Sequence, residues 1–151
     1  MELGIGFQII RSNNDALNLR VAAWNGLFGG VAEIYVSIGD LQVAARQLRG
    51  FPNNPADKRV IELGCFDRKY AGGSVIMNFH CVDGSGHVCV ETTIDSNCIK
   101  AGTIQTVILT VPIDGSDVEH FVKELARLEF TSAGTAHLRG VREAIRVGGL
   151  L

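Results

Sequence analysis

Apolar residues return at every second position through most of this chain. Leu3, Ile5, Phe7 and Ile9 alternate with Gly4, Gly6 and Gln8. Leu17, Leu19 and Val21 alternate with Asn18 and Arg20, and Ala32, Ile34 and Val36 with Glu33, Tyr35 and Ser37. A period of two sends one side of each segment into a core and turns the other outward, which is the pattern of a strand buried on one face. The punctuation agrees, with turn residues at Arg11 to Asp15, Asn25-Gly26 and Gly29-Gly30. Lys58 to Cys65, Val75 to Val82, His87 to Ile94 and Thr103 to Val111 read as further strands, with Asp67 to Gly73 a turn-rich connection. Asp83-Gly-Ser-Gly86 joins two of them as a hairpin loop, and Pro112, which has no N–H, marks the edge or end of the last.

Two segments have the period of a helix instead. Leu41, Ala44, Ala45 and Leu48 form one helix face, preceded by a capping box at Ser37-Ile-Gly-Asp40 and stopped by Gly50 and Pro52. Val118, Phe121, Val122, Leu125 and Leu128 form another, with Asp114 or Ser116 as its cap. Strand, acidic cap and apolar helix thus occur in the same order twice, after Val36 and after Val111, as two related units on one sheet would. In the last segment, 131–151, Leu138, Val141 and Ile145 have helical spacing while Gly134, Gly140, Gly148 and Gly149 oppose a helix, so its structure stays open. The expected fold is α+β. It is a two-layer domain over 1–151, with a mostly antiparallel six- to seven-stranded sheet and two helices on one face, in the order βββα-ββββα. Helices on one face leave the other to meet water or a partner.

At 151 residues, with 46% hydrophobic and 20% charged residues, the chain can bury a core without a metal or disulfide. A net charge of −2 without a basic run argues against a nucleic-acid partner. No apolar run reaches the length of a membrane span, and the N-terminus lacks the basic start of a signal peptide. Cys65, Cys81, Cys89 and Cys98 form no CxxC pair, so free thiols and a cytoplasmic location are expected. No P-loop, Rossmann fingerprint or nucleophile elbow occurs, and Gly4-x-Gly6 merely opens a strand.

The hairpin permits an argument about register. A loop over Asp83 to Gly86 sets His80 opposite Cys89 and Asn78 opposite Glu91. Val75, Met77, Phe79, Cys81, Val88, Val90, Thr92 and Ile94 then face the core, and His80, His87 and Cys89 share the polar face. Two imidazoles and a thiolate are zinc ligands, and three protein ligands leave the open position of a catalytic site. Set against that, polar residues on a solvent-facing strand are ordinary, and a flat face converges ligands poorly. Cys81 and Cys89 point to opposite faces and should not pair.

Trp24 and Tyr35 fall on the outward phase of their strands, with Phe28 between them, and are candidates for contact with a partner. Arg139, Arg142 and Arg146 would form a basic stripe if their segment is helical.

The series Phe28-Gly-Gly, Glu33-Ile-Tyr-Val, Asp40-Leu, Leu48-Arg-Gly-Phe-Pro52, Glu62-Leu-Gly64, Phe79, Asp83 and Gly86-His87-Val88 resembles a loosely defined group of small uncharacterised bacterial proteins. Some of its members look like immunity proteins of bacterial toxin systems. The resemblance implies a cytoplasmic protein whose work is binding, and it transfers no catalytic residue. The leading expectation is therefore a non-enzymatic protein-binding module, of immunity type, with another protein or a second copy of itself as partner and no cofactor. The rivals are a small zinc protein or metal-dependent enzyme built on His80, His87 and Cys89, and a binder of a small apolar ligand.

Overall fold

The computed structural model describes residues 2–65, 72–96 and 104–142. The chain runs through β1 (Gly4–Ser12), β2 (Ala16–Trp24), β3 (Gly29–Ser37), α1 (Asp40–Leu48), β4 (Lys58–Gly64), β5 (Ser74–Cys81), β6 (His87–Asp95), β7 (Thr106–Asp114), α2 (Val118–Thr131) and β8 (Thr135–Arg139). The protein is α+β, but its strands do not form one sheet of six or seven. They form two four-stranded antiparallel sheets, ordered β3-β2-β1-β8 and β4-β5-β6-β7. Alternation marks which face of a strand is buried and is silent on which strand lies beside it.

The division follows from the two helices. β1-β2-β3 and β5-β6-β7 are meanders, and each is followed by a helix that carries the chain across to the other sheet. α1 delivers β4 to the edge of β5, and α2 delivers β8 to the edge of β1. The chain is thus two βββαβ units that exchange their last strands, so the echo of strand, cap and helix in the sequence is an echo in topology. The helices are crossovers between two sheets, packed on each other, and not a layer on one face of a single sheet.

The core is one cluster fed by both sheets and both helices. Every residue of the two expected helix stripes is buried, from Leu41, Ala44, Ala45 and Leu48 to Val118, Phe121, Val122, Leu125 and Leu128. Phe7 of β1 meets Phe121 of α2 at a ring separation of 5.9 Å, and Phe51 meets Phe79 edge-on at 5.7 Å. The expected core face of the hairpin is buried except Cys81, which is half-buried.

Two elements settle what the sequence left open. Part of the segment with helical spacing, Thr135–Arg139, is the strand β8, because Ala136 and Leu138 alternate into the core beside β1. β7 continues through Pro112, which marks the edge of the sheet and not the end of the strand. The sheet edges at β3, β7 and β8 are engaged. Glu33 O accepts from Gly73 N at 2.7 Å, Pro112 O from Val141 N at 2.8 Å, and Glu124 Oε1 from the His137 amide at 3.1 Å. Such contacts blunt edges that would otherwise pair with other chains. No described helix is long and apolar enough to cross a membrane.

The start of α1 is capped differently from the sequence expectation. Asp40 does reach back, its Oδ2 accepting from Ser37 N at 2.8 Å, but the N-cap is Gly39 at φ 104, with no side-chain cap of its own. The orphan amides of Gly39 and Gln42 donate instead to the carboxylate of Glu129 on α2, the second at 2.8 Å. Gln42 Nε2 answers by donating to Ala126 O at 3.1 Å. A carboxylate on helix N-terminal amides is a charge-assisted cap, here supplied by the neighbouring helix. The start of α2 also differs from expectation: Asp114, accepting from Ser116 N at 2.9 Å, caps a 3-10 turn at Gly115–Asp117, and the N-cap of α2 itself is Asp117, with no side-chain cap. Removal of the shared cap in Glu129→Ala should lower stability by about 1–2 kcal/mol in urea unfolding, with Glu129→Gln losing less. Unchanged stability in Glu129→Ala would show that the cap does not hold the helices together.

Candidate functional site

Each sheet has a core face and an outer face. On the first sheet the outer face has three rungs that the register fixes. One runs His137, Gly6, Ala22, Val31 across β8, β1, β2 and β3. The rung on one side is Thr135, Gln8, Arg20, Glu33, and on the other Arg139, Gly4, Trp24, Gly29. Small residues down the middle leave a trough of about 300 Å³, open to solvent and lined by Gly6, Gln8, Arg20, Ala22, Trp24 and His137.

The ring of His137 leans across β1, so that a Cβ at Gly6 would lie 3.2 Å from Nδ1; at Gly4 the backbone itself leaves no room, since a Cβ there meets Leu138 O and Gly140 N before Nε2 at 3.1 Å. Gly4 is also held at φ 122, a conformation that side chains disfavour. The imidazole is fixed by Nε2, which lies 3.0 Å from Leu3 O. A carbonyl oxygen can only accept, so Nε2 carries the hydrogen. Glu2 stands nearby, its carboxylate 3.6 Å from Nε2. On the rim Arg20 and Glu33 face each other at 3.6 Å, an exposed pair.

Trp24 and Tyr35 both face outward, as alternation predicts, Trp24 half-buried and Tyr35 exposed. They do not form one patch. Tyr35 is paired with Asn18, six positions along β2 from Trp24, or about 20 Å at strand rise. The neighbours of Trp24 are instead the end of its own hairpin, where Leu27, Phe28 and Val31 are 59%, 63% and 45% exposed. Asn25 holds that turn. Its Oδ1 accepts from Leu27 N and Phe28 N at 2.9 and 2.8 Å, and its Nδ2 donates to Thr110 O of β7 at 3.0 Å. The apolar display is therefore built on a braced turn. The sequence singled out Trp24 and Phe28 but gave no sign of Gly6, Ala22 and His137 as a unit, because β8 comes from the far end of the chain.

On the second sheet the hairpin register is as the loop residues predict, with His80 opposite Cys89 and Asn78 opposite Glu91. His87, however, turns to the loop, its Nδ1 lying 2.6 Å from Asp83 Oδ2. Cys89 is buried. Among the described residues no group of three or more His, Cys, Asp or Glu side chains that could hold a metal ion is present. Cys81 lies on the opposite side of the sheet from Cys89, near Asn54 O at 3.8 Å, and burial pushes its thiol pKa up, as do the carboxylates of Asp57 and Asp83. Arg139 is in a strand and so belongs to no helical stripe, and Arg146 and Cys98 lie outside the described residues.

No protein-family model and no curated protein matches this chain. Among solved structures, a chain of the CdiA-CT/CdiI toxin and immunity complex from Enterobacter cloacae is similar over 83% of this chain and 99% of its own, with a TM-score of 0.45 and 12% identity.

The pair in the hairpin loop has a titration signature. The hydrogen bond to Asp83 raises the His87 pKa above the ordinary 6.5, and the same bond lowers that of Asp83 below 3.8. Both groups are charged between those limits. The support from His87 is full below its unfolded pKa and is lost as pH rises through its raised folded value. The support from Asp83 is lost as pH falls through its lowered one. In an NMR titration Asp83→Asn should return the His87 midpoint towards 6.5, whereas an unmoved midpoint would show that the pair is not formed in solution.

Proposed function

We propose that this protein is a non-enzymatic protein-binding module that contacts its partner through the outer face of the first sheet. One observation carries the reading: Leu27 and Phe28 stand exposed on a turn braced by Asn25, with Trp24 just before it and exposed Val31 in the strand that follows. Scattered apolar side chains on a surface are ordinary, but several large ones at one hairpin end keep apolar area in water, and such areas are commonly covered by another protein. A rigid turn also loses little entropy on binding. The immunity-type role implied by the sequence resemblance is the form of binding we propose, with Trp24 and Phe28 as anchors and Tyr35 outside the contact.

Affinity capture from an extract of the organism that makes the protein tests this, with the wild type compared with Phe28→Ser/Val31→Ser and with Val60→Ser, a control on the other sheet. The expected result is a partner held by the wild type and the control and released by the double variant at unchanged thermal stability. A partner retained by the double variant overturns the assignment of this face. Sedimentation of the purified protein adds the case of a second copy, which would show as a concentration-dependent dimer that the double variant lacks.

A further inference from the structure

Beside the apolar corner, the trough on the same face has polar chemistry of its own. The Nε2 hydrogen of His137 is committed to Leu3 O, so in the neutral ring Nδ1 is an acceptor. Nδ1 lies over Gly6, and no described residue hydrogen-bonds to it. The floor is the bare backbone at Gly6 and the methyl of Ala22, and Trp24 bounds one end. At about 300 Å³ the trough is at the low end of ligand pockets, which suits a single ring and not a cofactor. An aliphatic group in it would bury Nδ1 without a partner, at a cost that a ring with its own donor avoids. Such a ring would also meet the imidazole and the indole in the offset or edge-on contacts that aromatic groups favour.

We propose that this trough takes one tyrosine side chain of the protein partner, its ring over Ala22 beside the imidazole and its O–H donating to His137 Nδ1. The inference rests on the reading of this face as the contact surface, and it names the group that the face selects.

The test is an NMR titration of the ¹⁵N-labelled protein, including its histidine side chains, with N-acetyl-tyrosinamide, N-acetyl-phenylalaninamide and N-acetyl-leucinamide. The tyrosine compound should shift the amides of Gly6, Ala22, Trp24 and His137 and move the Nδ1 resonance. The phenylalanine compound should bind roughly three- to tenfold more weakly for want of the hydrogen bond, and the leucine compound should not shift the trough. Ala22→Leu, which fills the trough from a partly exposed position, should abolish the shifts while leaving the rest of the spectrum in place. The proposal is overturned if the tyrosine compound moves no trough resonance up to its solubility. It is also overturned if all three compounds bind alike, or if Ala22→Leu binds as the wild type does. Partner capture that depends on Phe28 and Val31 while the tyrosine compound is ignored would remove the ring site alone and leave the contact face standing.

Discussion

The exchange of last strands between the two halves is the constraint on which the rest of the structure depends. β1 and β5 begin their meanders, and each would be an open edge if its own half were all that it had. β8 covers the first and β4 the second, each brought across by a helix. Neither sheet is complete without both halves, so the core is shared and the two units should unfold together. The helices follow the same logic. Each must lie where the chain crosses between sheets, which sets them side by side and lets Glu129 of one satisfy the first amides of the other.

The same exchange makes the outer face of the first sheet. Because β8 lands beside β1, His137 comes to rest over Gly6, and the backbone of Leu138 and Gly140 leaves no room for a side chain at Gly4, which also has a positive φ. A face that is otherwise a flat ladder gains a trough with an imidazole on one wall. The turn after β2 adds Leu27 and Phe28, and its attachment to β7 by Asn25 ties the displayed corner to the second sheet as well as the first. The strand that closes the sheet thus also supplies the polar side chain of the trough.

The hairpin of the second sheet shows how far register takes an argument and where it stops. Loop length and alternation set His80 against Cys89 and set Cys81 on the other side, and the structure agrees. Register fixes which backbone positions are neighbours, but side chains still choose among partners. His87 has an acid within reach in its own loop, and its Nδ1 lies 2.6 Å from Asp83 Oδ2.

Much of the local structure was legible in the amino-acid order. The alternation at Leu3 to Ile9 and at Val75 to Val82, the stripes from Leu41 and Val118, and the stop at Gly50 depend on neighbours a few residues away, and local sterics and burial decide them. The outward phase of Trp24 and Tyr35 is equally a matter of counting by two. Tertiary structure alone decided the rest. Two sheets replaced one because strand neighbours are chosen by packing across the whole chain. Residues 135–139 became a strand because β1 offered an edge, against the helical spacing of Leu138 and Val141. Trp24 and Tyr35 fell about 20 Å apart along a shared ladder. The trough needed Gly6, Ala22 and His137, which are far apart in the chain and meet only when the last strand returns to the first. No local pattern records that meeting, because the free energy that selects it belongs to the assembled core.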